Sequence, residues 1–317
     1  MKQSAHGRHW ASIDEISFVA GMRLLFGIFR VFGRWPFRLA LYPVLVWYVL
    51  TQAAPRRASA AYLRRVRAYA AVRPGWRGVL LHFGAFAENI LDKMLLWGGL
   101  FNAEQVQYAG QEQMHRQIAA GRGGLLICSH LGNLEMCRVL SRRYPEVKLT
   151  VLVHTKHAQA FNRMLARLDP ASQLDLLQVT EMTPATAMIL ADKIAQGGFV
   201  VIAGDRIPVA PQPRVARVEF LGQEAAFPVG PYVLASILQC PIYLLFSMHL
   251  DGAPQVRFEL LRESVRLPRQ GRDAALRELV ADYAARLEHY CVRAPLQWFN
   301  FYDFWQLPHL ENTDVSR

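Results

Sequence analysis

A histidine and a glutamate lie five positions apart, directly after a short apolar segment in the middle of the chain. Residues 125–128, Leu-Leu-Ile-Cys, predict a buried strand that ends near His130. Asn133 and Glu135 suit the first turn of a following helix, because capping and acidic side chains favour its positive end. Glu135 would then fix the imidazole tautomer, leaving the other ring nitrogen to accept a proton from a hydroxyl group. The spacing predicts a general-base dyad without a protein nucleophile.

The same segment offers two further groups and leaves two alternatives open. Backbone amides near Gly132 and Asn133 lie at the predicted helix start, where an oxyanion or a phosphate can bind. Cys128 is a rival nucleophile, less favoured because a buried strand would turn it inward. The bare spacing also fits a histidine that only caps a helix, but its position at a strand-to-helix junction favours catalysis.

A second candidate site follows another predicted strand, residues 199–203. This strand ends in Gly204-Asp205-Arg206, and α/β folds place ligand-binding groups at the carboxyl ends of strands. The guanidinium of Arg206 suits a phosphate or a carboxylate, so we predict a substrate-binding role for Arg206 and its neighbour Asp205. A purely structural Asp205–Arg206 pair is the alternative.

Strands and helices alternate along most of the chain. Strands are predicted at 125–128, 148–154, 174–179, 199–203 and 240–246, and helices at 79–98, 161–168, 186–196 and 272–291. This alternation predicts an α/β fold. A chain of 317 residues fits one large catalytic domain with a small appendage.

Composition narrows the possible partners. The hydrophobic content is 52% and the formal net charge is +11, which favours contact with an anionic surface such as a membrane. Zinc-ligand spacing, RNA-binding aromatic motifs and helix-turn-helix signals are absent from the sequence, so we expect no nucleic-acid partner. The four cysteines, Cys128, Cys137, Cys240 and Cys291, form no metal-ligand motif. We therefore expect no metal and a reducing compartment.

The amino-terminal region carries the membrane prediction. Residues 18–32 are apolar apart from Arg23 and Arg30, and residues 36–54 contain Arg38 as their one charge. The second stretch is just long enough to span a bilayer, but Pro43 and the arginine make an interfacial hairpin equally compatible. The alternative is a pair of buried core helices in a soluble protein.

A retained anchor is favoured over a signal peptide. The stretch lacks a small-residue cleavage site and is followed by basic residues that should face the cytoplasm. These are Arg56, Arg57, Arg64, Arg65 and Arg67. We therefore predict that residues 1–60 are a membrane anchor or interfacial helices, and that residues 61–317 are the catalytic domain.

Four sequence blocks carry a resemblance: SHLGNLE, AGDR, FLG with FPVGP, and the terminal RAPLQWFNFYDFW. They resemble the lysophospholipid acyltransferase superfamily, in its bacterial lipid A lauroyl/myristoyl acyltransferase-like branch. The chain is also similar to predicted acyltransferases of aryl-polyene-type gene clusters. His130 and Glu135 match the H-x4-D/E motif, Arg206 matches the arginine of the EGTR-like block, and Pro241 matches the later proline block. AGDR departs from EGTR at its first and third positions, so glycerol-phosphate recognition is not implied.

The resemblance implies a mixed sheet flanked by helices, as in glycerolipid acyltransferases, with a membrane-associating helical arm. It implies acyl transfer from an acyl carrier protein or CoA thioester, with no other cofactor, to a hydroxyl of a lipid or glycolipid-like acceptor. His130 and Glu135 would be catalytic, and the location would be the cytoplasmic face of the bacterial inner membrane. Two alternatives remain open: a hydrolase that uses the same dyad, and a non-catalytic scaffold that binds the carrier.

Overall fold

A computed structural model describes residues 24–136, 147–153, 175–178, 183–208 and 213–306. The helices are α1 (Trp35–Thr51), α2 (Ala53–Val66), α3 (Gly75–Trp97), α4 (Gln111–Ala119), α5 (Pro184–Ala195), α6 (Gly230–Leu238) and α7 (Arg272–Arg293), and residues 24–32 are also helical. The strands are β1 (Gln107–Ala109), β2 (Gly124–Gly132), β3 (Leu149–Val153), β4 (Asp175–Gln178), β5 (Phe199–Ala203), β6 (Val215–Phe220), β7 (Gln223–Pro228), β8 (Ile242–Leu250) and β9 (Ala253–Arg262).

Seven strands form one mixed sheet in the order β1-β9-β8-β2-β5-β3-β4, and β6 and β7 form a separate antiparallel pair. Strand β2 lies in the centre, parallel to both β5 and β8. Strand β9 runs antiparallel to β8, and β1 is parallel to β9. Helices flank the sheet, so the α/β class and the mixed sheet predicted from the sequence are confirmed.

The first part of the central strand, residues 124–128, is apolar because both of its faces are buried there. Leu125, Ile127 and Leu131 belong to the larger hydrophobic cluster, whereas Leu126 and Cys128 belong to the smaller one. Their exposed fractions do not exceed 3%. A strand covered on both faces reads as a continuous hydrophobic run, which is how the sequence predicted it.

Most predicted elements are confirmed, with differences in extent. Strand β2 continues to Gly132, so His130 lies within the strand rather than after it, because Gly132 still pairs with Ser247 of β8. Strands β1, β6, β7 and β9 were not predicted. The predicted helix at 161–168 lies outside the described residues.

The amino-terminal arm is bent and mostly uncovered. Of the residues of α1, Leu45 and Val49 are buried, so this helix is not the buried core helix of the alternative interpretation. Helix α2 instead places Tyr62 and Val66 in the main core. Within the described residues no single helix is long and apolar enough to cross a bilayer; α1 and α2 together are, but they meet at a bend of 92°.

Ion pairs fix α1 against α3. Arg38 Nε lies 2.6 Å from Glu88 Oε1, and Arg34 Nη1 lies 3.3 Å from Glu88 Oε2. Arg34 also pairs with Asp92, whose other oxygen is 3.3 Å from His249 Nε2. Arg34 and Arg38 of the amino-terminal arm are therefore held by carboxylates of α3. The predicted division at residue 60 falls inside α2 and stays a prediction.

Candidate active site

Two neighbouring strands bring His130 and Asp205 together. Cys128 of β2 pairs with Ala203 of β5. His130 follows Cys128 by two residues, and Asp205 follows Ala203 by two residues. Asp205 Oδ1 lies 2.7 Å from His130 Nδ1, and Asp205 Oδ2 accepts a hydrogen bond of 2.7 Å from the His130 backbone amide. A carboxylate accepts, so Nδ1 carries the proton and Nε2 of the neutral ring is the basic nitrogen. The His130 side chain is 29% exposed and that of Asp205 is fully buried, so substrate can reach the imidazole.

Asp205 is an ionised, fully buried carboxylate with several donors around it. Trp298 Nε1 and Asn300 Nδ2 donate to its Oδ2 atom over 3.0 and 3.2 Å. Burial acts to raise the pKa of Asp205, but the electrostatic interaction with the His130 imidazole and the hydrogen bonds from His130 and Trp298 outweigh it. The pKa therefore lies below its ordinary value. A fixed negative charge next to Nδ1 stabilises the imidazolium.

The carboxyl-terminal segment lies along the end of β2 and completes the site. Phe299 donates its amide to the carbonyl of His130 over 3.0 Å. Arg206 Nε donates to Asn300 Oδ1 over 2.9 Å, and its Nη2 donates to the carbonyl of Phe299 over 3.3 Å. Asn300 thus links the two predicted binding residues, Asp205 and Arg206. Arg206 is positioned by this segment, and its side chain is exposed.

Glu135 lies on the side of the site that faces α3. Its backbone amide donates to Asn133 Oδ1 over 3.1 Å, a local side chain-to-backbone bond that fixes the turn after β2. Its Oε2 atom accepts a hydrogen bond of 3.1 Å from Trp97 Nε1, at the end of α3. The carboxylate that the structure places on His130 Nδ1 is Asp205, and a direct effect of Glu135 on the imidazole stays a prediction.

The backbone amides of Gly132 and Asn133 are already used within the fold. Gly132 donates to the Gln297 carbonyl over 2.7 Å, and Asn133 donates to the Ser247 carbonyl over 2.9 Å. An oxyanion or a phosphate would have to displace these carbonyls. The Asn133 side chain keeps a buried Nδ2 atom without a hydrogen-bond partner among the described residues, so its predicted binding role depends on that atom.

Cys128 is poorly placed for nucleophilic attack. It is 3% exposed, and its Sγ atom donates to the Ile202 carbonyl over 3.4 Å. A reactive cysteine needs access and an environment that stabilises its thiolate. The position of Cys128 supports transfer without a covalent acyl-enzyme.

Sequence reasoning missed the residues that hold the site together. Trp298 and Asn300 lie in the carboxyl-terminal aromatic tail, residues 298–305, and both are almost completely buried. Both side chains also donate to Asp205. A lone asparagine within an aromatic run was the available signal, because a buried amide needs hydrogen-bond partners.

Residues 100–306 match the family model described as bacterial lipid A biosynthesis acyltransferase, which is well over half of the chain. The chain belongs to the bacterial lipid A biosynthesis acyltransferase family. It is therefore an acyltransferase of lipid biosynthesis, as the sequence predicted. The matched range includes His130, Glu135, Asp205 and Arg206 and excludes α1, α2 and α3. No curated protein matches this acyltransferase. The similarity to proteins of aryl-polyene gene clusters stays a prediction.

Proposed function

We propose that this acyltransferase moves a fatty acyl group from an acyl carrier protein or CoA thioester to a hydroxyl of a lipid or glycolipid-like acceptor. The observation that carries the proposal is the 2.7 Å contact between His130 Nδ1 and the buried Asp205. This contact leaves Nε2 of a partly exposed ring as a base. The proposed location is the cytoplasmic face of the bacterial inner membrane.

The proposed reaction is direct transfer. The acceptor hydroxyl gives its proton to His130 Nε2 while its oxygen attacks the thioester carbonyl. The tetrahedral intermediate then expels the thiolate as the carbon–sulfur bond breaks, and the proton on Nε2 passes to the departing sulfur. Asp205 stabilises the imidazolium through Nδ1, and we propose that Glu135 adds negative charge on the α3 side. General-base catalysis of this kind contributes about 10²- to 10⁴-fold to the rate.

We further propose that α1 lies in the membrane interface. Its large apolar side chains point outward, with Trp35, Leu39, Trp47 and Leu50 between 64% and 71% exposed. Transfer of these four into lipid would contribute roughly 4–8 kcal/mol. Arg38 of α1 is bound to Glu88 of α3. The exposed row formed by Trp35, Leu39, Trp47 and Leu50 therefore carries no charged side chain. The basic side chains of α2 are suited to anionic headgroups.

The activity is tested with purified protein in detergent, a labelled acyl carrier protein or acyl-CoA donor, and a total lipid extract of the host. Wild type should yield a new acylated lipid, identified by mass spectrometry, and His130→Ala should lose it by about 10²-fold or more. Release of free fatty acid alone would favour the hydrolase. Absence of any reaction with several donors would favour the scaffold.

Membrane binding is tested by flotation with vesicles that contain anionic phosphatidylglycerol. The double variant Leu39→Ser, Trp47→Ser should move from the vesicle fraction to the soluble fraction. Ile237→Ser is the matched control, because Ile237 is 55% exposed but lies on α6. Equal flotation of the double variant and wild type would contradict the proposed orientation of α1.

A further inference from the structure

One face of α3 lies against the active site at two points. Phe86 packs on Phe299 with a ring-centroid distance of 5.2 Å, and Trp97 donates to Glu135 over 3.1 Å. Lys93 follows Phe86 by seven residues and precedes Trp97 by four, so all three share that face of the helix. Lys93 is therefore placed between the aromatic tail and Glu135.

Lys93 is half-buried, and its side chain has an unusual environment. Among the described residues, no hydrogen bond or ion pair engages it. Burial lowers the pKa of Lys93, Glu135 acts in the opposite direction, and Arg206 lowers it further. Phe299, which packs against Phe86 on the same face of α3, also accepts a hydrogen bond from Arg206, so the two cations lie on the same side of the site. Two partly desolvated cations that face one site are stabilised when an anion binds there.

Arg206 is oriented before any ligand binds. Its Nε and Nη2 atoms donate to Asn300 and to the carbonyl of Phe299, over 2.9 and 3.3 Å. These two bonds hold the guanidinium plane and leave the N–H groups of Nη1 for a ligand. A held, exposed guanidinium beside a second cation is the arrangement that suits a phosphate.

We propose that Lys93 and Arg206 together bind a phosphate ester of a substrate, next to His130. This inference rests on the proposed function. Both substrates of such a transfer can carry the group: the phosphopantetheine arm of the donor, or an anionic headgroup of the acceptor. Binding of the phosphate at two cations fixes the position of the reacting group relative to the imidazole. Lys93 lies outside the matched family range and is not part of the motifs recognised in the sequence.

The test measures binding in the His130→Ala protein, so that no chemistry enters. Isothermal titration compares 4′-phosphopantetheine with pantetheine, and, in detergent micelles, phosphatidic acid with diacylglycerol. We expect at least one phosphate-bearing probe to bind better than its phosphate-free counterpart. Lys93→Met should weaken that probe by about 10- to 100-fold and remove the preference, since a charge-assisted bond is lost. Which probe responds identifies the substrate that carries the phosphate.

Two further variants make the result interpretable. Lys148→Met removes the same charge from an exposed lysine before β3, and it should leave binding unchanged. Lys93→Arg should recover part of the preference, which a general packing role would not predict. The proposal is overturned if no phosphate-bearing probe binds better than its counterpart, or if Lys93→Met weakens both members of a pair equally. Because this assay needs no turnover, failure of acyl transfer in the activity assay does not decide it.

Discussion

Replacement of Asp205 by asparagine should reverse the tautomer of His130. Asp205 Oδ2 accepts three hydrogen bonds, from the amide of His130, from Trp298 and from Asn300, whereas Oδ1 is bonded to His130 Nδ1. The amide oxygen of asparagine should therefore take the Oδ2 position, because all three partners there are donors. The NH₂ group would then face Nδ1 and donate to it. The ring proton would move to Nε2, and the base would be blocked.

The expected loss is large in rate and moderate in stability. A blocked tautomer in a comparable base–carboxylate pair lowers kcat by about 10⁴-fold, and we expect about 10³- to 10⁴-fold here. That range corresponds to about 4–5 kcal/mol of transition-state stabilisation. The asparagine side chain has the same shape, and its oxygen can still accept the three hydrogen bonds from His130, Trp298 and Asn300. The free energy of unfolding should therefore fall by only about 1–3 kcal/mol.

The assay compares initial rates of lipid acylation at saturating donor and acceptor, with thermal unfolding followed by circular dichroism. Asp251→Asn is the matched control, since that side chain is 77% exposed and its residue has a φ of 53°, which asparagine accepts. The reasoning would be refuted if Asp205→Asn kept more than about a tenth of the wild-type kcat, which would be a smaller loss than general-base catalysis supplies.

Three other changes separate the remaining roles. Glu135→Gln keeps an acceptor for Trp97 and loses only charge, so kcat should fall by about 10-fold, less than for the loss of the base. Gly132→Ala would place Cβ 1.8 Å from a carbonyl oxygen at a φ of +66°, and should lower the free energy of unfolding in urea by more than about 3 kcal/mol. His82 is buried and neutral, and burial lowers its pKa from 6.5 to about 4 despite its bond to the Trp298 carbonyl. The unfolded state therefore binds the proton more tightly. The stability due to neutral His82 is complete above pH 6.5 and should fall by up to about 3 kcal/mol as the pH drops to 4.

Each of these has its own control. A loss of kcat in Glu135→Gln as large as in Asp205→Asn would make Glu135 an equal partner of the base. Gly252→Ala has a φ of +81° with nothing within 4 Å of the new Cβ, so it should cost only about 1 kcal/mol. Urea curves of His82→Gln should lose the pH dependence between pH 6.5 and 4, and an unchanged dependence would assign it to another group.

Local patterns in the sequence predicted much of the fold. The apolar run of β2 and the periodicity of α3 and α7 follow from burial of one or both faces, which constrains residue types at fixed spacing. The strand ends also located His130 and Arg206, because side chains beyond the carboxyl ends of parallel strands meet at one edge. Strand β9 was missed because it is only partly buried and alternates weakly.

The sequence by itself determined the fold class, and it located His130, the proposed base, and the segment Gly204-Asp205-Arg206 after β5. Only the tertiary structure decided which carboxylate holds the base, because the register of β2 and β5 brings residues 75 positions apart to within 2.7 Å. It likewise decided that Asn300 supports both Asp205 and Arg206, and that the face of α3 that carries Lys93 lies against the same site. Such contacts depend on how separate segments pack together. The spacing of residues along the chain does not tell which side chains of two distant segments will meet.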